Sequence, residues 1–100
     1  MTINFEYHDV EASKKLEAFT TEKLERLFVK FSMIIRADVC LKTEKTALDA
    51  TDKTCNIRLS VFGPRLYAHS NQDSFMNSIS KSISDLDSQL AMKRGKMTKL

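Results

Sequence analysis

Several residue types on which active sites depend are scarce in this sequence of 100 residues. It contains two glycines, one proline, two cysteines, two histidines and no tryptophan. With glycine only at Gly63 and Gly95, a glycine-rich phosphate loop cannot be built. Cys40 and Cys55 are too few for a disulfide scaffold and lack metal-ligand spacing. We therefore expect two free thiols, as in proteins of a reducing cytoplasm.

Long apolar runs are also missing. No stretch approaches the ~18 apolar residues of a membrane span. Near the N-terminus, Ile3, Phe5 and Tyr7 alternate with polar residues instead of forming the apolar segment of a signal peptide. Apolar residues make up 42% of the chain, which is enough for one core. We expect a single domain over residues 1–100, located in the cytoplasm.

Nothing in the residue pattern predicts catalysis. His8 and His69 are isolated in the sequence, and no nucleophile motif surrounds the serines. We therefore expect a protein that is not an enzyme and that binds no cofactor, metal ion or small-molecule substrate.

The hydrophobic period predicts the secondary structure. Apolar residues alternate over 2–8, recur at helical spacing over 13–31, and alternate again over 34–45, 54–62 and 65–70. A loop is expected over 46–53 and a turn at Gly63 and Pro64. A second helix is expected from about 73, capped by Asp73 or Ser74, to about 90–94. The order β-α-β-β-β-α indicates an α+β fold, in which two helices pack on one face of a four-stranded sheet.

The same periodicity assigns side chains to the core. Ser13 is the expected N-cap of the first helix, and Cys55 is expected to point inward. Tyr67 and His69 should face outward, where they either cover the sheet or stack on a base. The serine-rich face of the second helix is expected to be its polar face. Six helical positions should be buried: Leu24, Leu27, Phe28, Ile79, Ile83 and Leu86. One face of the second strand should point to the core: Ile35, Ala37, Val39, Leu41 and Thr43.

The net charge is only +3, but the last eight residues carry four bases and no acid. A helix that ends at Leu90–Arg94 would explain Lys93 and Arg94 by its dipole and Gly95 as its stop. Lys96 and Lys99 lie beyond that stop, and we expect them to bind a polyanion. On the first helix, Lys23, Arg26 and Lys30 are candidates for phosphate contacts. The alternative for this helix is pairing along it, because Glu22 lies four residues before Arg26.

Four segments together resemble a known family. They are "VEASKKLEAFTTEKLERLFVKF", the following "VCLKTEK", the hairpin, and a last helix that opens with "QDSF" and closes with "SQL". Their order and spacing from Ile3 to Lys96 resemble the short ribosome hibernation promoting factors, also called ribosome-associated inhibitors or sigma-modulation-type proteins. The resemblance implies a fold similar to double-stranded RNA-binding domains. It also implies binding to rRNA of the small ribosomal subunit, in the channel for messenger and tRNA, and a steric block of translation in stationary phase or stress.

The resemblance also bears on individual residues. Lys23, Arg26, Arg94 and Lys96 fall where the family places bases. Three positions where the family often has bases differ: Glu17, Asp85 and Ser88. The expected RNA-binding set, from the residues and the resemblance together, is Lys23, Arg26, Lys30, Lys93, Arg94, Lys96 and Lys99. The acidic second helix leaves a second hypothesis open, a protein-binding regulatory module that modulates a transcription factor.

Overall fold

The computed structural model describes residues 2–44 and 52–98. The described elements are β1 (Thr2–His8), α1 (Lys14–Lys30), β2 (Ile34–Thr43), β3 (Lys53–Val61), β4 (Leu66–Gln72) and α2 (Phe75–Thr98). This is the predicted order β-α-β-β-β-α. Most of the predicted loop over 46–53 lies outside the described residues, and Lys53 already belongs to β3.

The four strands form one sheet in the order β1-β2-β3-β4. β1 pairs with β2 in parallel, and the other two pairs are antiparallel. A parallel pair needs a crossover connection, which α1 supplies. α2 packs against β3, β4 and α1. Both helices therefore cover one face of the sheet, as predicted.

The core lies between the helices and this face. Of the six helical positions predicted to be buried, five are at most 9% exposed, and Phe28 is partly buried against the same cluster. Cys55 is fully buried, as predicted. Burial raises the pKa of its thiol to about 12.

Serine side chains cap both helices. The Oγ of Ser13 accepts a hydrogen bond from the backbone N of Leu16 at 3.2 Å, which confirms the predicted N-cap of α1. The Oγ of Ser74 accepts one from the backbone N of Asn77 at 3.2 Å. Asp73 instead accepts from the side-chain amide of Asn77 at 2.7 Å. Of the two predicted caps of α2, Ser74 thus takes a free amide of its first turn.

The predicted inward face of β2 is wrong at one position. Ile35 is 51% exposed, and its neighbour Ile34 is 3% exposed. The pairing of β2 with β3 shifts register between Ile34 and Arg36. Because an extra residue on one strand turns the following side chains to the other face, the alternation holds from Ala37 onward but not across the shift.

The serine-rich face of α2 is only partly a polar surface. Ser78 and Ser82 are fully buried. The hydroxyl of Ser82 donates to the backbone O of Cys55 at 2.9 Å, and that of Ser78 donates to the backbone O of Lys53. A hydroxyl can be buried at this site because a β3 carbonyl replaces its water partner.

The predicted end of the second helix is also wrong. α2 does not end at 90–94 but continues through Gly95 to Thr98. Glycine inside a helix costs only about 0.5–1 kcal/mol relative to alanine, so a single glycine does not by itself end a helix. The Nη1 of Arg94 donates to the backbone O of Lys30 at 3.2 Å and so holds this part of α2 against the C-terminus of α1.

Candidate nucleic-acid interface

A groove of about 300 Å³ runs between α1 and α2. Lys23, Arg26 and Lys30 line it from α1, because spacings of three and four residues place side chains on one side of a helix. Asp87 and two serines line it from α2. All three bases predicted on the first helix therefore lie in one groove.

Each of these bases is held by a neighbour while remaining accessible to solvent. The Nη2 of Arg26 lies 2.8 Å from the Oε1 of Glu22, the predicted i,i+4 pair, but both side chains are largely exposed. The Nζ of Lys23 lies 5.1 Å from the centroid of the Phe19 ring. The Nζ of Lys30 lies 2.9 Å from the Oδ1 of Asp87. Exposed pairs of this kind contribute only about 0–1 kcal/mol to stability, so polyanion binding can replace them at small cost.

Arg94 extends the series of bases beyond the end of α1. Its Cζ lies 4.6 Å from the centroid of the Phe31 ring, and the Nζ of Lys30 lies 5.3 Å from the same centroid. Cations over an aromatic face are attracted by its quadrupole. The buried Phe31 ring thus fixes two bases, one from each helix, at the same end of the groove.

Among the remaining candidates of the tail, the described side chain of Lys93 lies apart from this series. The Nζ of Lys93 lies 3.1 Å from the position that a Cβ on Gly63 would occupy, so Lys93 reaches the turn between β3 and β4. Lys96 lies within α2, but its side chain is outside the described residues, as is all of Lys99. The predicted role of Lys93 and Arg94 as the last-turn bases of α2 is wrong, because the helix ends later.

Two further bases lie at the same end of the molecule, and the sequence did not single them out. Arg36 is exposed near the start of β2, and Arg65 is exposed in the turn between β3 and β4. Because Ile34 pairs with Val61, the start of β2 lies next to this turn. A weak excess of bases between residues 36 and 65 was the only signal for them.

The face of the sheet opposite the helices is open and polar. It holds a depression of about 560 Å³. Partial burial alone would raise the pKa of Asp38, but hydrogen bonds from Arg36 and Asn4 outweigh this and keep that pKa below its usual value. Tyr67 and His69 are exposed on this face, as predicted, and the Nδ1 of His69 is hydrogen-bonded to the Oδ1 of Asn56.

The three positions that depart from the family pattern have local partners or are exposed. Glu17 accepts a hydrogen bond from the hydroxyl of Tyr7 at 2.5 Å and ties α1 to β1. The pKa of Tyr7 is raised, mainly by burial and to a smaller extent by this hydrogen bond. Asp85 lies 3.4 Å from the Nζ of Lys81, and Ser88 is exposed. The outer face of α2 is therefore nearly neutral around these two residues.

The fold and this surface define a class: a small α+β domain with bases gathered along one helix and at one end. The family comparison is specific. The model of the sigma 54 modulation protein / S30EA ribosomal protein family matches residues 3–98. The chain therefore belongs to this family of ribosome-associated proteins, which are not enzymes.

Solved structures agree with this assignment at the level of the fold. A ribosomal subunit interface protein from Coxiella burnetii superposes with a TM-score of 0.81 at 18% identity, covering 95% of this chain and 99% of that one. The N-terminal domain of Thermus thermophilus Protein Y gives a TM-score of 0.74 at 18% identity, covering 90% and 96%. No curated protein sequence matches the chain. In the part of the chain that the structure describes, no helix has the length and apolarity to cross a membrane.

Proposed function

We propose that this protein binds rRNA of the small ribosomal subunit in the channel for messenger and tRNA, and that it blocks translation by occupying that channel. The observation that carries the proposal is the line of Lys23, Arg26 and Lys30 along one groove, continued by Arg94. A cytoplasmic location and a role in stationary phase or stress belong to the same proposal.

The mechanism needs no chemical step. Bases that neutralise phosphates release counterions, so they supply affinity that falls with rising salt. Structured RNA is read mainly through its shape and its backbone, and the groove with its basic end offers a shaped surface for such contacts. Bound there, a rigid domain of this size excludes other occupants of the channel.

The first experiment neutralises two bases of the groove. We expect Lys23→Gln with Arg26→Gln to weaken binding to small subunits and to reduce the salt slope by about two, one for each lost phosphate contact. The thermal midpoint should stay nearly constant, because Arg26 is largely exposed. The measurement is co-sedimentation with purified small subunits over a series of salt concentrations, with inhibition of cell-free translation as a second readout.

The matched control is Lys14→Gln with Lys15→Gln. It changes the net charge by the same amount on the same helix, but in the first turn of α1, away from the groove. Equal losses in the two double variants would mean that only overall charge matters. Full binding by the groove variant at moderate salt would contradict the proposal.

A second candidate function is the protein-binding regulatory module. The family description includes sigma 54 modulation, and two large apolar side chains are exposed on the helices, Val29 at 88% and Met92 at 66%. Capture of partners with and without ribonuclease separates the two functions. Ribosomal particles that depend on intact RNA support the first proposal, whereas a protein partner that resists ribonuclease supports the second.

A further inference from the structure

Three metal-ligating side chains meet at the β1–β2 edge of the open sheet face. Glu6 and His8 are two residues apart on β1, so their side chains point to the same face. Glu6 is paired with Cys40 of β2, and His8 is paired with the next outward residue, Lys42. Cys40 therefore lies beside Glu6 and diagonal to His8. The sequence did not reveal this, because 32 residues separate His8 from Cys40.

The ligand atoms are close enough to share one ion. One carboxylate oxygen of Glu6, one ring nitrogen of His8 and the Sγ of Cys40 all lie within 4.8 Å of one another. The Nε2 of His8 is 3.3 Å from the Oε1 of Glu6. Bond lengths of about 2.0–2.3 Å in a tetrahedral zinc site separate its ligands by roughly 3.3–3.8 Å. Side-chain rotation can close the remaining difference without moving the strands.

Charge and access also suit a cation. The side chains of His8 and Glu6 are 55% and 69% exposed, and Cys40 is partly buried beside them. The neighbouring cation, Lys42, is compensated by its own acid, since its Nζ lies 2.7 Å from the Oε1 of Glu44. Because Glu44 offsets the charge of Lys42, this lysine repels a metal ion less, and the carboxylate of Glu6 attracts one.

We propose that Glu6, His8 and Cys40 bind a divalent transition-metal ion of the zinc class, with water in the fourth position. The mixed set of sulfur, nitrogen and oxygen ligands suits zinc and cobalt rather than magnesium or calcium, which take oxygen ligands. The proposal does not depend on ribosome binding, because the site lies on the sheet face and not in the groove between the helices.

The chain provides its own matched controls. His69 is the other histidine, exposed on the same sheet face but bonded to Asn56 of β3. Cys55 is the other cysteine, fully buried in the core. Because Cys55 is buried, a metal–thiolate signal can be assigned to Cys40. The loss of metal affinity on substitution of His8 can be compared with the effect of the same substitution at His69.

The experiment titrates the full chain, without an affinity tag and stripped of metal, with Co²⁺ and with Zn²⁺. Charge transfer from thiolate to cobalt in the near ultraviolet reports the sulfur ligand, and calorimetry gives the Zn²⁺ affinity and stoichiometry. We expect saturation at one ion per chain. Cys40→Ser should abolish the charge-transfer signal. Loss of any one ligand should weaken Zn²⁺ binding, as tested by Cys40→Ser, His8→Gln and Glu6→Gln. Each loss should be at least the roughly 10–100-fold that is typical when a residue hydrogen-bonded to a metal ligand is removed.

His69→Gln should leave both signals unchanged, and circular dichroism should show that every variant is folded. Absence of saturable binding, a charge-transfer signal that survives Cys40→Ser, or equal losses in His8→Gln and His69→Gln would each overturn the site. Binding of one ion with the expected dependence on Cys40 and His8, and none on His69, supports it.

Discussion

The Nζ of Lys30 and the Oδ1 of Asp87 lie 2.9 Å apart across the groove between α1 and α2. An acid of the second helix thus neutralises the groove base that stands nearest to Arg94. Both side chains remain accessible, at 52% and 40% exposure. The pair therefore limits the positive charge that the groove presents to a polyanion, while adding little to stability.

We expect Asp87→Asn to strengthen binding to small ribosomal subunits. Lys30 would then be available for a phosphate, and the salt slope should increase by about one. The free energy of unfolding should change by about 0–1 kcal/mol, as for other exposed pairs. Co-sedimentation over a salt series and urea denaturation measure the two quantities.

The control for this prediction is Glu11→Gln, which removes one negative charge before the N-terminus of α1, whereas Lys30 lies at its C-terminus. A gain in Asp87→Asn that exceeds the gain in Glu11→Gln places the effect in the groove. Equal gains would mean that the protein responds only to its net charge.

The sequence was sufficient for the order of the elements and for most of the core, because periods of two and 3.6 residues are local properties. It failed at Ile35, where a register shift between two strands reverses the face. It failed again at Ser78 and Ser82, whose buried hydroxyls depend on carbonyls of β3. Pairing across the sheet and contact between helix and strand decide these cases, and neither is a local property.

In the candidate site, too, local spacing was predictable from the sequence and contacts between distant elements were not. Lys23, Arg26 and Lys30 were predicted as candidates for phosphate contacts, and the structure places all three in one groove. Arg94 was explained as a base at the end of its own helix and was also included in the expected RNA-binding set. Its guanidinium contacts Phe31 and the end of α1, which neither prediction anticipated. A contact between residues more than sixty positions apart could not be read from the tail alone.

The buried hydroxyl of Ser82 gives a stability prediction. Ser82→Ala removes the hydrogen bond that the Ser82 hydroxyl donates to the backbone O of Cys55, which should cost about 0.5–1.5 kcal/mol. Ser88→Ala is the control, since Ser88 is exposed on the same helix and should gain a few tenths of a kcal/mol from helix propensity. Urea denaturation compares them, and equal effects would contradict the role of the Ser82 hydrogen bond.

Cys55 makes stability depend on pH in the alkaline range. Burial raises the pKa of its thiol from 9.0 to about 12. Between these values the unfolded chain releases a proton that the folded chain keeps, so the free energy of unfolding falls as pH rises. Below pH 9.0 this contribution is constant. Tyr7 and Cys40, whose pKa values are also raised, act in the same direction.

The Cys55 contribution is isolated by comparison with Cys55→Ala. We expect the variant to be less stable at neutral pH, because it leaves a cavity, but to lose less stability than the parent chain between pH 9.0 and about 12. Urea midpoints at neutral pH and within that interval provide the measurement. Parallel losses in the two proteins would show that the Cys55 thiol does not titrate differently on folding.

Gly95 decides between a helix that stops and a helix that continues. The structure places it inside α2, and among the described residues a Cβ there would have nothing within 4 Å. Gly95→Ala should therefore stabilise the protein by about 0.4–1 kcal/mol, through helix propensity and a less flexible unfolded chain.

Gly63 is the matched contrast, because its φ of +103° and the nearby Nζ of Lys93 oppose a side chain. Gly63→Ala should destabilise by more than Gly95→Ala stabilises. Urea denaturation measures both variants. A loss of stability in Gly95→Ala would mean that Gly95 ends the helix in the left-handed conformation, and that α2 does not carry Lys96 onward as part of the helix.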